Sequence, residues 1–149
     1  MQRIIFDWKR TLYDPESHTL CEGAQELLAY LELQKIEMVL IGKGQPETVQ
    51  DVIRLGIARY FSKIFFVGTT KSKELFSPFI SEPSNDTYVL GDRVRSEIEI
   101  GNELGATTVW IKSGTYAVEL PESDLQKPAF IFSSLHDFLR YLQQNLNKG

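Results

Sequence analysis

Short apolar runs that stop abruptly at a polar residue or a glycine alternate along this chain with stretches of helical period. Residues 3–6 are largely apolar and close on Asp7. Residues 23–33 place Ala24, Leu27, Leu28 and Leu31 at helical spacing and predict an amphipathic helix. Residues 37–41 form a second apolar run, ending at Gly42-Lys43-Gly44. Pro46 suits the first turn of a helix with Val49, Val52, Ile53 and Leu55 on its inner face and Gly56 as its stop. Residues 64–67, 87–90 and 107–111 predict three further strands, and 129–132 a short sixth. Helices are predicted over 71–80, where Pro78 disturbs the end, and over 96–104, with Ile98, Ile100 and Leu104 facing inward. A closing helix over 135–146 has Leu135, Phe138, Leu139 and Leu142 at core spacing. Brief apolar runs without strict alternation are what strands buried on both faces look like. The pattern predicts an α/β fold: a doubly wound, Rossmann-like, mostly parallel sheet of five to six strands in three α/β/α layers. Residues 112–127 read as a long surface loop. No boundary divides the chain, so residues 1–149 are expected to form a single domain with Phe61, Phe65 and Phe66 in its core.

Bulk properties narrow the choice without directing it. The 149 residues suffice for one core, and 42% hydrophobic with 24% charged residues is ordinary for a globular chain. One cysteine, Cys21, excludes an internal disulfide and a cysteine-based zinc site, and reads as a small buried side chain. Net charge is -4 with scattered bases, which predicts no nucleic-acid partner. No run approaches the roughly 18 apolar residues of a membrane span, and residues 4–6 are too short for a signal sequence. A cytoplasmic protein with no membrane partner is expected.

Chemistry gathers at the strand ends, where open α/β sheets bind ligands. Asp7, the Gly42-Lys43-Gly44 loop and Asp92 all follow apolar strands, and Lys71 opens a predicted helix. Two carboxylates brought from different strands to one sheet edge would repel and desolvate each other. A divalent cation resolves that conflict, and carboxylate oxygens are what Mg²⁺ selects.

In these residues the chain resembles the haloacid dehalogenase-like (HAD) hydrolase superfamily. That family's first motif, a strand followed by Asp-x-Asp-x-Thr-Leu, is similar to Asp7-Trp8-Lys9-Arg10-Thr11-Leu12. Its second, a strand ending in Ser or Thr, falls on Gly42. Its third, a Lys at a helix start, aligns with Lys71-Ser72-Lys73-Glu74-Leu75-Phe76 and favours Lys71 over Lys73. Its fourth, Gly-Asp with a further acid downstream, matches Gly91-Asp92 and Glu97 and is the most specific of the four. The resemblance implies a phosphatase-type hydrolase that transfers a phosphoryl group through an aspartyl-phosphate. Asp7 would be the nucleophile. Mg²⁺ would be held by Asp7, the backbone carbonyl of Lys9 and Asp92, with Glu97 in or near the outer shell. Lys71 would neutralise the phosphoryl oxygens, and the Gly42 N–H and Lys43 would add phosphate contacts.

Two departures matter. Lys9 stands where the family's phosphatases carry a second Asp as general acid/base, and an ammonium is a poor base and weak acid near pH 7. Lys9 is also expected to reach Asp7 and pair with it. Gly42 lacks the phosphate-binding hydroxyl. The chain is expected to lack a cap domain, leaving an open site for a small phosphorylated substrate or phosphoprotein, covered if at all by a partner or a second copy. The alternative is a degenerate module that keeps the fold and binds a phosphorylated ligand or a partner protein without turnover. Gly42-x-Gly44 has no third glycine, which argues against a dinucleotide site, and a receiver domain would need its Asp where Val67-Gly68 stands. His18 is a loop residue that could replace the missing base. His136 reads as structural, and Trp8 as packing.

Overall fold

In the computed structural model, which describes residues 1–146, β1 (Arg3–Phe6) leads into a small antiparallel hairpin of β2 (Tyr13–Asp14) and β3 (Thr19–Leu20). Helix α1 (Ala24–Leu33) follows, then β4 (Glu37–Lys43), α2 (Val49–Arg54), β5 (Phe61–Val67), α3 (Lys73–Phe76) and β6 (Thr87–Gly91). A π-helical turn (Val94–Ile98) runs into α4 (Glu99–Glu103), and β7 (Thr107–Ile111), β8 (Phe130–Phe132) and α5 (Leu135–Asn145) complete the chain. The main sheet has the order β5-β4-β1-β6-β7-β8, with every neighbouring pair parallel. Chain direction across the sheet reverses between β1 and β6. The loops leaving those strands part there and open a crevice at their carboxyl ends.

Alternation within each strand assigns the layers. Ile4, Phe6, Leu40, Leu90, Val109 and Ile111 face one side and pack with Leu27, Leu28 and Leu31 of α1 and Leu135, Phe138 and Leu142 of α5. Ile5, Val39, Ile41 and Val89 face the other, against Phe76 of α3, with Ile100 and Leu104 beside them. This is the three-layer sheet that the hydrophobic pattern predicts.

Several elements differ from the sequence reading. The stretch at 71–80 yields only four residues of α-helix, followed by a 3-10 turn at Ser77–Phe79, because Pro78 has no N–H to continue the ladder. α2 is also short, at six residues; it buries Val52 alone and leaves Ile53 55% exposed. Phe65 is exposed rather than core: it lies on the edge strand β5, packed against Phe79 alone among the aromatic rings of the described residues. The β2–β3 hairpin is too short to show a period in the sequence.

Close packing of α4 on the sheet depends on Gly101. A Cβ there would lie 2.7 Å from Thr108 Cγ2 and 3.1 Å from Val89 Cβ. Thr108 cannot turn away freely, because its hydroxyl donates to Asn102 and accepts from the Ala129 N–H. Gly101→Ala therefore sets a helix-propensity gain of about 1 kcal/mol against an overpacking cost of about 1–3 kcal/mol. We expect net destabilisation, read as a lower urea midpoint; a raised midpoint would mean that the helix can lift off the sheet.

Candidate functional site

The crevice at the β1/β6 switch is floored by one charge cluster. Asp7 follows β1 directly, and its N–H donates to the Leu90 carbonyl at 3.0 Å, so the β1–β6 ladder fixes its backbone. Lys71, in the loop before α3, donates to Asp7 Oδ1 at 2.6 Å and to Glu97 Oε1 at 2.8 Å. All four ionisable groups, Asp7, Lys71, Asp92 and Glu97, are buried. One oxygen from each of the three carboxylates lies within 4.8 Å of the other two.

Local structure explains why these side chains converge. The Trp8 carbonyl accepts from the N–H groups of Thr11, Leu12 and Tyr13, and the Arg10 N–H donates to the Tyr13 carbonyl. Those bonds curl residues 8–13 into a tight turn and leave the Lys9 carbonyl outside its ladder. The Thr11 hydroxyl comes back to Asp7 Oδ2 at 3.3 Å. On the other side, Trp110 Nε1 donates to the Asp92 carbonyl at 2.9 Å, and Trp110 packs with Val94 and Ile98. This anchors the wide turn that aims Glu97 inward. Glu97 gets in only because residue 91 is glycine: a Cβ on Gly91 would stand 2.6 Å from Glu97 Oε2.

Three carboxyls share one ammonium, and the electrostatics show the deficit. Burial, then the neighbouring Asp7 and Glu97 charges, push the Asp92 carboxyl up to about 9. Burial and Asp7 also push Glu97 up, against the pull of Lys71. Burial disfavours the Lys71 ammonium, but the Asp7 and Glu97 charges outweigh it and hold Lys71 above its ordinary range. Among the described residues, Asp92 Oδ2 and Glu97 Oε2 are buried without a hydrogen-bond partner. Orphaned carboxylate oxygens among neighbouring acids are the donor set a hard divalent cation takes, so the residues present fit Mg²⁺.

Above this floor the cleft, about 790 Å³, is rimmed by cations: Lys9, Arg10, Lys43, Arg93 and Arg95. The predicted residues separate accordingly. Asp7, Lys71, Asp92 and Glu97 meet on the floor, and Lys43 lines the rim. Lys73 is exposed and pairs with Glu103 at 3.2 Å, away from the cluster. Lys9 is exposed at the mouth and forms no ion pair with Asp7, whose partner is Lys71; the strand ends at Phe6, so its two-residue alternation does not carry Lys9 inward. Gly42 is not on the cleft wall. Its missing Cβ points toward Phe66 Cε1 at 2.6 Å and Trp8 Cβ at 2.8 Å. His18 sits at the hairpin turn, bonded to the Tyr13 hydroxyl at 3.0 Å, and does not line the cleft. His136 lies 3.6 Å from Glu22, while Trp8 is buried and stacks on Tyr13. Cys21 is partly buried, and burial pushes its thiol up to about 11, so it is not a reactive thiolate at neutral pH. Sequence reasoning missed Arg10, Arg93, Arg95 and Tyr116 on the cleft wall. The arginines could have been suspected from their places beside Asp7 and Asp92. Nothing in the sequence connects Tyr116 to either.

A doubly wound domain with a buried acidic centre at its switch point is thus the class that fold and site define. The HAD-hydrolase-like family model matches residues 40–138, two thirds of the chain, and the protein belongs to that family. Solved structures share the fold at low identity. A HAD phosphatase from Thermococcus onnurineus superposes with a TM-score of 0.78 at 12% identity, covering 95% of this chain and 98% of that one. A HAD-superfamily hydrolase from Ehrlichia chaffeensis gives 0.73 at 17%, covering 97% of each chain. The magnesium-bound structure of YfnB from Bacillus subtilis gives 0.69 at 21%, covering 84% of this chain and 57% of that one. No curated protein matches the sequence. No helix of the described residues is long and apolar enough to cross a membrane.

Two outcomes follow from this geometry. The folded, metal-free protein holds a proton on Asp92 that the unfolded chain, with an ordinary carboxyl near 4, has lost at neutral pH. Stability in EDTA should fall as pH rises between about 4 and about 9, by up to about 1.4 kcal/mol per unit from Asp92, with Glu97 adding in the same direction. Urea midpoints at pH 6 and pH 8.5 measure the slope, and added Mg²⁺ should flatten it. Equal midpoints in EDTA would mean that the cluster carries no electrostatic load. Gly42→Ser, which returns the family's hydroxyl, should destabilise by about 1–3 kcal/mol, because Phe66 can swing aside but Trp8 Cβ is fixed to the backbone. Unchanged stability would show that the strand end has room for a side chain.

Proposed function

We propose that this protein is a Mg²⁺-dependent phosphatase-type hydrolase that works through an aspartyl-phosphate on Asp7. The observation that carries the reading is the floor of the cleft: three buried carboxyls gathered together, two of them bonded to one lysine, with two carboxylate oxygens unpartnered among the described residues, beneath a cationic rim. Asp7, Asp92 and the Lys9 carbonyl would hold the ion, with Glu97 beside them. The ion supplies positive charge against the phosphoryl oxygens.

The chain's own groups do the rest. A carboxylate oxygen of Asp7 attacks phosphorus, the ester P–O bond breaks, and the leaving oxygen departs with the electron pair. Lys71, already within hydrogen-bond reach of Asp7, faces the charge spread over the transferring phosphoryl group, and Lys43 adds to it from the rim. Water then attacks the phosphorus of the mixed anhydride, releasing phosphate and restoring Asp7. Lys9 cannot protonate an alkoxide as a carboxylic acid would, which lowers the rate by about 10² to 10⁴ where a proton is needed. The open mouth admits a small phosphorylated substrate. A single cysteine suits the cytoplasm.

The test is phosphate release with Mg²⁺ from matched aryl and alkyl phosphates. Aryl phosphates, whose leaving groups need no proton, should react measurably and alkyl phosphates hardly at all. Lys9→Asp should help the alkyl set more, within the same roughly 10² to 10⁴ range, and Asp7→Asn should abolish both. A natural protein inert to the whole panel, with Lys9→Asp no better, would remove the phosphatase reading.

A further inference from the structure

Of the seven arginines in the chain, six have a carboxylate partner, including Arg93 with Glu119 and Arg95 with Glu122 at the cleft itself. Arg10 has none among the described residues. It lines the cleft three residues beyond Asp7, and it also borders a neighbouring cavity of about 480 Å³. The carboxylate on that side, Asp14, is already engaged by the Glu16 N–H and the Ser17 hydroxyl. The backbone of Arg10 sits at φ 63°, in the left-handed region, which fixes where its side chain leaves the turn.

An aromatic ring completes the arrangement. The Arg10 guanidinium lies 5.6 Å from the Tyr116 ring centroid, and that of Arg93 lies 4.1 Å from the same ring. Tyr116 comes from the β7–β8 connection and is held in place through Glu119, which accepts from Arg93 and from the Val94 N–H at the head of the turn bearing Glu97. Arg93 is therefore neutralised by Glu119. Arg10 keeps its charge and its N–H donors for a ligand. A phosphoryl group on the buried floor must direct its substituent toward the mouth, where these two residues stand. Lys9 and Lys43 add diffuse attraction there, but only the planar fork of an arginine matches a carboxylate or phosphate in two bonds.

We propose that Arg10 and Tyr116 form a leaving-group subsite, and that the substrate is a phosphate ester whose leaving group carries a second anionic group, a carboxylate or a further phosphate. Arg10 binds that anion, and Tyr116 is a positioning residue that holds the guanidinium over the mouth. The assignment rests on reading the floor as the phosphoryl site.

Binding of non-hydrolysable probes tests it independently of turnover. Phenylphosphonate and 4-carboxyphenylphosphonate differ only in the second anion and can be titrated calorimetrically in Mg²⁺ at low salt. The carboxylated probe should bind about tenfold more tightly to the natural protein, the ratio expected of one charge-assisted contact. Arg10→Ala should lose most of that ratio, Arg10→Lys should keep part of it, and Tyr116→Leu should reduce it. Raising the salt should shrink it as well. Arg10→Gly, which suits the positive φ, secures a folded variant if the alanine form is unstable. Equal affinities in the natural protein, a ratio untouched by Arg10→Ala or Arg10→Gly, or no binding of either probe would overturn the assignment. Hydrolysis of phenyl phosphate is scored separately: a protein that discriminates the probes but hydrolyses nothing retains the subsite and loses the phosphatase reading.

Discussion

The buried Lys71 ammonium, bonded at once to Asp7 and Glu97, is the interaction on which the rest of the structure turns. An ion pair taken out of water gains little by itself, yet removing one partner leaves an uncompensated buried charge at a cost of about 3–5 kcal/mol. Lys71 ties together three separate parts of the chain: the end of β1, the loop before α3 and the π-helical turn after β6. It also does not suffice, since one ammonium faces three carboxyls. Asp92 absorbs the excess by holding a proton far above the usual carboxyl range. That unbalanced state is what a divalent cation would relieve.

Glycine and aromatic side chains make this concentration of charge sterically possible. Gly91 gives up its side chain so that Glu97 can approach the strand end, and Trp110 fixes the turn from behind through the Asp92 carbonyl. On the opposite side of the sheet, Gly42 makes room for Phe66 against Trp8. The hydroxyl absent at position 42 is thus linked to packing under the cleft. The aromatic cluster of Trp8, Tyr13 and Phe66 occupies the direction in which a side chain at 42 would point.

Floor and rim divide the work. The floor is built from strand ends and is rigid because the sheet is rigid. The rim comes from loops: Arg10 in the turn after β1, Lys43 at the end of β4, Arg93 and Arg95 around Asp92, and Tyr116 from the long connection between β7 and β8. The β1–α1 connection contributes only a two-strand hairpin. The rim is thus made of loop segments tied to one another by ion pairs, Arg93 with Glu119 and Arg95 with Glu122.

The sequence by itself determined the layers, the order of the main-sheet strands along the chain and the identity of the floor residues. Apolar runs such as 37–41 and 107–111 can be satisfied only by burial on both faces, and an acid directly after such a run must sit at a strand end, as Asp7 and Asp92 do. Only the tertiary structure decided pairings between distant loops. Whether Asp7 meets Lys9 or Lys71 depends on where β1 stops and on how the loop before α3 folds over the sheet, and neither leaves a period in the sequence. The same holds for Ile53 and Phe65, whose hydrophobicity suggested core positions that a short helix and an edge strand do not provide. It holds most of all for Tyr116. Its place beside Arg10 comes from the β7–β8 loop, held to the turn after Asp92 by Glu119 and Glu122, a contact between residues far apart in the chain that local pattern does not record.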